Sequence, residues 1–243
     1  MKNLIIDAGN SRIKVFVFER DSIVFSFVSD ENDFEEKIKN IFIEHEIFNT
    51  IVSSVGALTK KIAAILKNVS AVVWLNSQTK VPFINSYKTP ITLGVDRIAL
   101  MSAASFLFPN KNVLVIDAGT CITFDILSET NNYLGGAISL GLQMRFTALH
   151  NFTENLPLLT IDNFKNFIGD DTNSCIGSGV VQGAISEIDG VISEYKCRFS
   201  DLTVVLTGGD AYYLSKRLKN SIFANPNFLA EGLNSILTHN TQE

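Results

Sequence analysis

The chain has 243 residues, 46% of them apolar and 19% charged, with a formal net charge of −5. That is enough chain to bury a core without disulfide or metal support, as one large domain or two small ones. No apolar run reaches the ~18 residues of a membrane span, and no block of Lys or Arg offers a surface to nucleic acid.

The expected setting is therefore the cytosol and the expected partner is small. The opening "MKNLIIDAG" is too short in apolar length for a signal peptide, and Asp7 interrupts it. The three cysteines, Cys121, Cys175 and Cys197, form no CxxC pair. That points to a reducing compartment and away from a zinc site or disulfide framework.

In chain order, "LIID", "IKVFVF" and "SIVFSFV" predict three strands over residues 3–28. A helix over about 31–48 follows, with Phe34, Ile38, Ile41 and Phe42 on one face. Then come a strand "TIVSSV", a helix near 58–67, a strand "AVVWL", a polar loop over 76–93 and a helix over 95–107. "FPNKN" reads as a linker. The second half restarts with strands "NVLVID", "CITFDIL" and "YLGGAI", a helix near 140–150 and a loop rich in Asp, Asn and Thr. A long helix over about 173–197 buries Val180, Ala184, Ile188, Val191 and Tyr195. A strand "LTVVLT", a turn "GGD" and two helices end the chain.

Each half thus opens with a β-meander whose first turn reads Asp-Ala-Gly, "DAGN" at 7–10 and "DAGT" at 117–120. This is a duplicated α/β unit, divided as 1–110 and 111–243, and two such units facing each other would form a cleft lined by both turns. A glycine in a tight turn lets backbone N–H groups approach phosphate oxygens, and a neighbouring Ser or Thr adds a hydroxyl. An Asp at the strand end can hold hydrated Mg²⁺. Asp7 and Asp117, if ~4 Å apart, would repel by roughly 4 kcal/mol and so would need a cation between them. An Asp that merely caps its own turn is the plain alternative for either turn alone.

Other nucleotide signatures are absent. There is no GxxxxGK[ST], and "GSGVVQG" at 177–183 has the wrong spacing and falls within a helix, where its glycines permit close packing. His45, His150 and His239 are too scattered for a histidine metal site or a Ser-His-Asp triad, and His45 and His239 are expected at the surface.

Six segments in order, "DAGNSRIK", "YKTPITLGVDR", "DAGTCITFD", "GGAISLG", "DDTNSCIGSG" and "TGGDA", span nearly the whole chain. In these the chain resembles type III pantothenate kinase, of the superfamily that includes acetate and sugar kinases, heat-shock chaperones and actin. Ser11 stands where Thr is commoner, and Leu140 where Pro often stands. The resemblance implies two actin-like (ribonuclease H-like) ATPase domains with a nucleotide cleft between them. It also implies transfer of a phosphoryl group from Mg-ATP to pantothenate, giving 4′-phosphopantothenate, the first step of coenzyme A biosynthesis, in a cytoplasmic homodimer.

Carried over by position, the resemblance assigns ATP contacts to Asp7, Ala8, Gly9, Asn10, Ser11, Arg12, Ile13 and Lys14. Asp7 would face the Mg²⁺ and Lys14 would add positive charge. Thr120 would be an ATP-contacting hydroxyl. Gly208 and Gly209 would let the chain pass under the adenosine. Asp96 would be the general base. Tyr87, Gly94, Val95, Arg97 and Thr172 would join it around pantothenate, and Asp117 would bind a monovalent cation, K⁺ or ammonium. Residue by residue, plainer roles stay open: Lys14 as a solvated strand residue, Asp96 and Thr172 as helix caps, Tyr87 as a loop aromatic, and the glycine pair as a simple turn. The alternatives in function are another small-molecule kinase on the same scaffold and a non-catalytic ATP-binding regulator.

Overall fold

A computed structural model describes residues 2–9, 12–54, 58–66, 71–161, 164 and 166–241, with only the backbone of Leu58 and Thr59. The chain forms two compact units: residues 1–107 with 227–243, and residues 108–226.

The first unit is built on β1 (Lys2–Ala8), β2 (Ile13–Glu19), β3 (Ser22–Ser29), β4 (Ile47–Ser54) and β5 (Ala71–Trp74), in the spatial order β3-β2-β1-β4-β5. β1 and β2 pair antiparallel, as do β2 and β3, whereas β1, β4 and β5 run parallel. β1 is central and covered on both faces, which is why Leu4, Ile5 and Ile6 form an uninterrupted apolar run and are all fully buried. Leu4, Ile6 and Ala8 face α1 (Phe34–Glu44) and α2 (Leu58–Leu66), which contribute Phe34, Ile38, Ile41, Ile62 and Leu66 to the same core.

After β5 the chain runs through a short strand β6 (Ile84–Asn85) to α3 (Val95–Leu107). α3 packs against the C-terminal helix α8 (Phe228–Thr241), and α8 rests on β1 and β4. The expected second half, 111–243, therefore differs from the observed unit at its far end, because α8 lies with the first unit. Two contacts fix it there. The Asn234 side chain accepts from Asn3 Nδ2 and donates to the carbonyl of Arg20, 2.9 Å each. Gly232 meets Ala99 so closely that a Cβ would sit 1.9 Å from the Ala99 carbonyl oxygen.

The second unit repeats the plan with β7 (Val113–Ala118), β8 (Cys121–Leu127), β9 (Asn132–Leu140), β10 (Thr203–Thr207) and β11 (Phe223–Ala224). Within it the order is β11-β10-β7-β8-β9, with an antiparallel meander on one side of β7 and parallel strands on the other. Strand for strand this is the first sheet again, as the repeated turn predicts. Leu114, Ile116, Phe124 and Leu206 on the sheet bury against α4 (Leu142–Asn151) and the long helical segment that begins at Thr172.

That segment is not one regular helix. α5 (Thr172–Gly177) and α6 (Gly183–Arg198) flank a π-helical turn over Ser178–Gln182. Of the expected buried face, Val180, Ala184 and Ile188 are buried, and Val191 and Tyr195 pack partly buried beside them. Only Gly177 among the glycines of "GSGVVQG" serves close packing. A Cβ there would meet the Phe164 ring at 2.0 Å, whereas Gly179 and Gly183 have open space. A short α7 (Ala211–Ser215) joins β10 to β11. His239 is exposed as expected, but His45 is half-buried against Phe25, with ring centroids 5.6 Å apart.

Because a backbone carbonyl cannot swing aside, Gly232→Ala is expected to cost about 1–3 kcal/mol of stability, despite the better helix propensity of alanine. Urea titration of both proteins measures it. An unchanged midpoint would mean that α3 and α8 separate freely.

Candidate active site

In the first unit the site begins where β1 ends. Gly9 N–H donates to the Arg12 carbonyl at 3.2 Å, closing the first Asp-Ala-Gly turn, while the expected contacts Asn10 and Ser11 lie outside the described residues. Ala8 and Ile13 are buried in the core, so only their backbone can serve a ligand, whereas Arg12 and Lys14 are exposed. The register sets Asp7 directly opposite Lys14, which places both side chains on one face of the sheet. The Asp7 carboxyl is pushed up to about 6, chiefly by burial. The Lys14 ammonium opposes that rise and the nearby Asp96 carboxylate adds to it. Three charged groups named from the sequence, Asp7, Lys14 and Asp96, therefore share one neighbourhood within this unit.

Asp96 lies in the first turn of α3 and is exposed. Its Oδ1 accepts from the backbone N–H of Arg97 at 2.8 Å. Gly94 makes that rotamer possible, since a Cβ at 94 would lie 2.3 Å from Asp96 Oδ1. Val95, the first residue of the helix, is half-buried. Buried Arg97 places its guanidinium over the Tyr87 ring, 5.6 Å from the centroid. Tyr87 is thus more than a loop aromatic. It is held by its backbone N–H to Asn85 Oδ1 at 3.0 Å and stacks on a cation, a contact worth roughly 0.5–2 kcal/mol.

In the second unit Gly119 N–H donates to the Cys121 carbonyl at 2.9 Å, so this turn is one residue shorter than its counterpart. Thr120 is exposed at its tip. Gly208 lies directly on the turn. At φ +97°, a Cβ there would be 2.4 Å from both the Ala118 carbonyl oxygen and Asp117 Oδ1. The Asp210 N–H closes the contact by donating to the Ala118 carbonyl at 2.9 Å. Gly209 has open space around it, so the two glycines are not equivalent.

Thr172 is the first residue of α5. Asp171, not Thr172, is the cap, accepting from Ser174 N–H at 2.9 Å in a capping box. Thr172 therefore keeps its hydroxyl for other use, on an open depression of about 650 Å³ that also includes Leu149, Leu156 and Cys175.

Two residues not singled out in the sequence join the second turn. A Cβ on Gly141 would lie 2.2 Å from the Gly119 carbonyl and 2.3 Å from that of Thr120, so Gly141 braces the turn from behind. Its signal was present in "GGAISLG", though its partner was not. Asp210, raised by burial, is the other.

The sequence profile of type III pantothenate kinases matches residues 3–194. A type III pantothenate kinase of Flavobacterium johnsoniae is 48% identical, with 95% of each chain covered, and one of Christiangramia forsetii is 49% identical, with 98% of each covered. The chain belongs to the type III pantothenate kinase family. Among solved structures, a glucokinase from an Antarctic psychrotroph superposes with a TM-score of 0.52 at 11% identity, covering 99% of each chain. The fold is accordingly the duplicated actin-like one of sugar kinases. Among the described residues no helix is long and apolar enough to cross a membrane.

Gly208→Ala is expected to lose roughly 2–4 kcal/mol of stability, from backbone strain plus the clash with a fixed carbonyl, while Gly209→Ala stays within about 0.5 kcal/mol. Chemical denaturation of the two variants side by side separates these outcomes.

Asp7 gives a pH signature. Its carboxyl releases its proton near pH 6 in the folded chain and at its ordinary 3.8 in the unfolded one, so ionised Asp7 opposes folding above that window. Asp7→Asn is expected to be more stable than wild type at pH 8, by about 1–2 kcal/mol once solvent screening is allowed for. The gain should shrink as pH falls from 6 and vanish below 4, which denaturation midpoints across that range would show.

Proposed function

We propose that this chain transfers the γ-phosphoryl group of ATP to the 4′-hydroxyl of pantothenate, with Asp96 as general base. The observation that carries the reading is the grouping within one unit of the Asp7–Lys14 pair, the Asp96 carboxylate and the Arg97–Tyr87 stack. It joins a phosphate-type turn to an alcohol-activating group and a fixed cation.

The backbone of the turn after Asp7 and the Lys14 ammonium hold phosphate oxygens, and Thr120 adds a hydroxyl from the second turn. Asp7 is the residue suited to nucleotide-bound Mg²⁺, because a cation relieves the burial that opposes its ionisation; the metal's contribution is to neutralise phosphate charge. Asp96 Oδ1 is engaged by Arg97 N–H, which leaves Oδ2 to take the proton of the pantothenate hydroxyl. As that oxygen bonds to the γ-phosphorus, the bond from phosphorus to the bridging oxygen breaks and ADP departs. Arg97, held by Tyr87, offers its donor fork to the polar groups of pantothenate, including its carboxylate. Gly94, Val95 and Thr172 complete the contacts to pantothenate, and Gly208 and Gly209 those to the adenosine. Asp117 takes a monovalent cation, K⁺ or ammonium. A homodimer in the cytoplasm is the assembly and setting that the family likeness supports.

General-base assistance is typically worth ~10²–10⁴ in rate, so Asp96→Asn is expected to lose activity on that scale while its melting temperature and ATP affinity hold. Turnover of pantothenate and a panel of other alcohols with Mg-ATP, with and without K⁺, tests the reading. Phosphorylation of another alcohol in preference to pantothenate would overturn the substrate. A wild-type rate in Asp96→Asn would remove the base.

A further inference from the structure

α4 opens against the usual charge preference of a helix. The first turn of a helix is its positive end and favours acidic side chains. α4 has none there, its cap is Gly141 without a side-chain bond, and Arg145 lies one turn from that end. The Arg145 guanidinium is not left to solvent. Nε donates to the Leu140 carbonyl at 2.9 Å, and Nη2 donates to Ser139 Oγ at 3.1 Å and to Glu187 Oε2 at 2.6 Å. The side chains of Arg145 and Glu187 are 18% and 31% exposed, so the pair is held more firmly than one in open solvent.

Three elements meet in that one side chain. α4 carries it, β9 ends in Ser139 and Leu140, and α6 supplies Glu187. What it holds is the two residues just before Gly141. Gly141 in turn sets the second glycine turn. Its N–H donates to the Thr120 carbonyl at 3.2 Å, and a Cβ on it would run into the carbonyl oxygens of Gly119 and Thr120. The Arg145 N–H donates to the Gly141 carbonyl at 3.1 Å, so main chain and side chain of one residue secure this corner together. The β8–β9 ladder ends at the Cys121–Leu140 pair, just short of the turn. Thr120 is exposed at the tip, so backbone contacts such as these, rather than packing of its side chain, set its place.

We propose that Arg145, anchored by Glu187, is a positioning residue for nucleotide binding: it holds Gly141 against the second turn and thereby fixes Gly119 and Thr120 where the phosphate oxygens of ATP bind. The proposal rests on the kinase reading above and adds to it the side chain that keeps the second turn in place. A rigid planar fork meets the Leu140, Ser139 and Glu187 oxygens at once. A single ammonium on a flexible stem does not hold that geometry, so charge alone does not replace it.

Arg145→Met keeps the stem and removes the fork, Arg145→Lys keeps the charge, and Glu187→Met removes the anchor. Mg-ATP affinity is measured by titration calorimetry without pantothenate, and KM values by turnover. Arg145→Met is expected to weaken Mg-ATP about tenfold, and Arg145→Lys and Glu187→Met about threefold, with the KM of pantothenate within about twofold of wild type. The Glu187 variant fixes the sign: if Arg145 only attracted the phosphates by its charge, removing an acidic neighbour would tighten Mg-ATP. Placed on Thr120→Val, Arg145→Met is expected to add less than about threefold, since the hydroxyl it positions is already gone. Wild-type affinity in Arg145→Met, tighter binding in Glu187→Met, or full additivity with Thr120→Val would overturn the assignment. If Arg145→Met does not fold, Arg145→Lys and Glu187→Met decide by the same affinities. If wild type binds Mg-ATP but does not phosphorylate pantothenate, the kinase reading fails and the affinities still decide the role of Arg145. If wild type binds no Mg-ATP, both fail.

Discussion

The structure turns on one constraint repeated twice: an acidic residue ends the central strand of each sheet. β1 and β7 each have a meander on one side and parallel strands on the other. The hairpin turn and the ends of the parallel strands therefore converge on the carboxyl end of the central strand, where open α/β sheets bind their ligands. A carboxylate placed there is partly desolvated by the strands around it. Asp7 shows the consequence in its raised affinity for a proton. Two neighbours of these carboxylates accommodate that charge: Lys14 stands opposite Asp7, and Gly208 leaves room beside Asp117.

Much of this was legible because the relevant signals are local. The repeated turn foretold a repeated unit, and short apolar runs marked most of its strands. Gly94 and Gly208 stood in recognisable segments, and their physical reasons are now specific: one admits the Asp96 rotamer, the other lets the chain cross a strand-end carbonyl. Tyr87 and Arg97 were named separately, and the stack that unites them is tertiary.

What stayed hidden was what depends on a partner distant in sequence. Periodicity reveals that α8 has an apolar face but not which sheet it covers. The boundary at 226/227 follows instead from Gly232 fitting Ala99 and from the amide link among Asn3, Asn234 and Arg20. The π-helical turn in 172–198 leaves no mark on a 3.6-residue pattern, because it shifts the face by one residue only. His45 looked like a surface histidine because its burial comes from Phe25 on another element.

The duplication repeats the sheets but not the helices, and the difference sets an acidic residue beside the strand-end carboxylate of the first sheet. In each unit the fifth strand of the plan is followed by a helix: α3 after β5, α8 after β11. Had each copy kept its own, each would have had a helix to aim at its own turn. Instead both helices belong to the first unit, packed on each other at Gly232 and Ala99. α8 thereby becomes a support for α3, and α3 carries an acidic residue, Asp96, close enough to the strand-end carboxylate of its own sheet to perturb it. The first unit gathers Asp7, Lys14 and Asp96, while the second keeps a turn braced by Gly141 and Gly208.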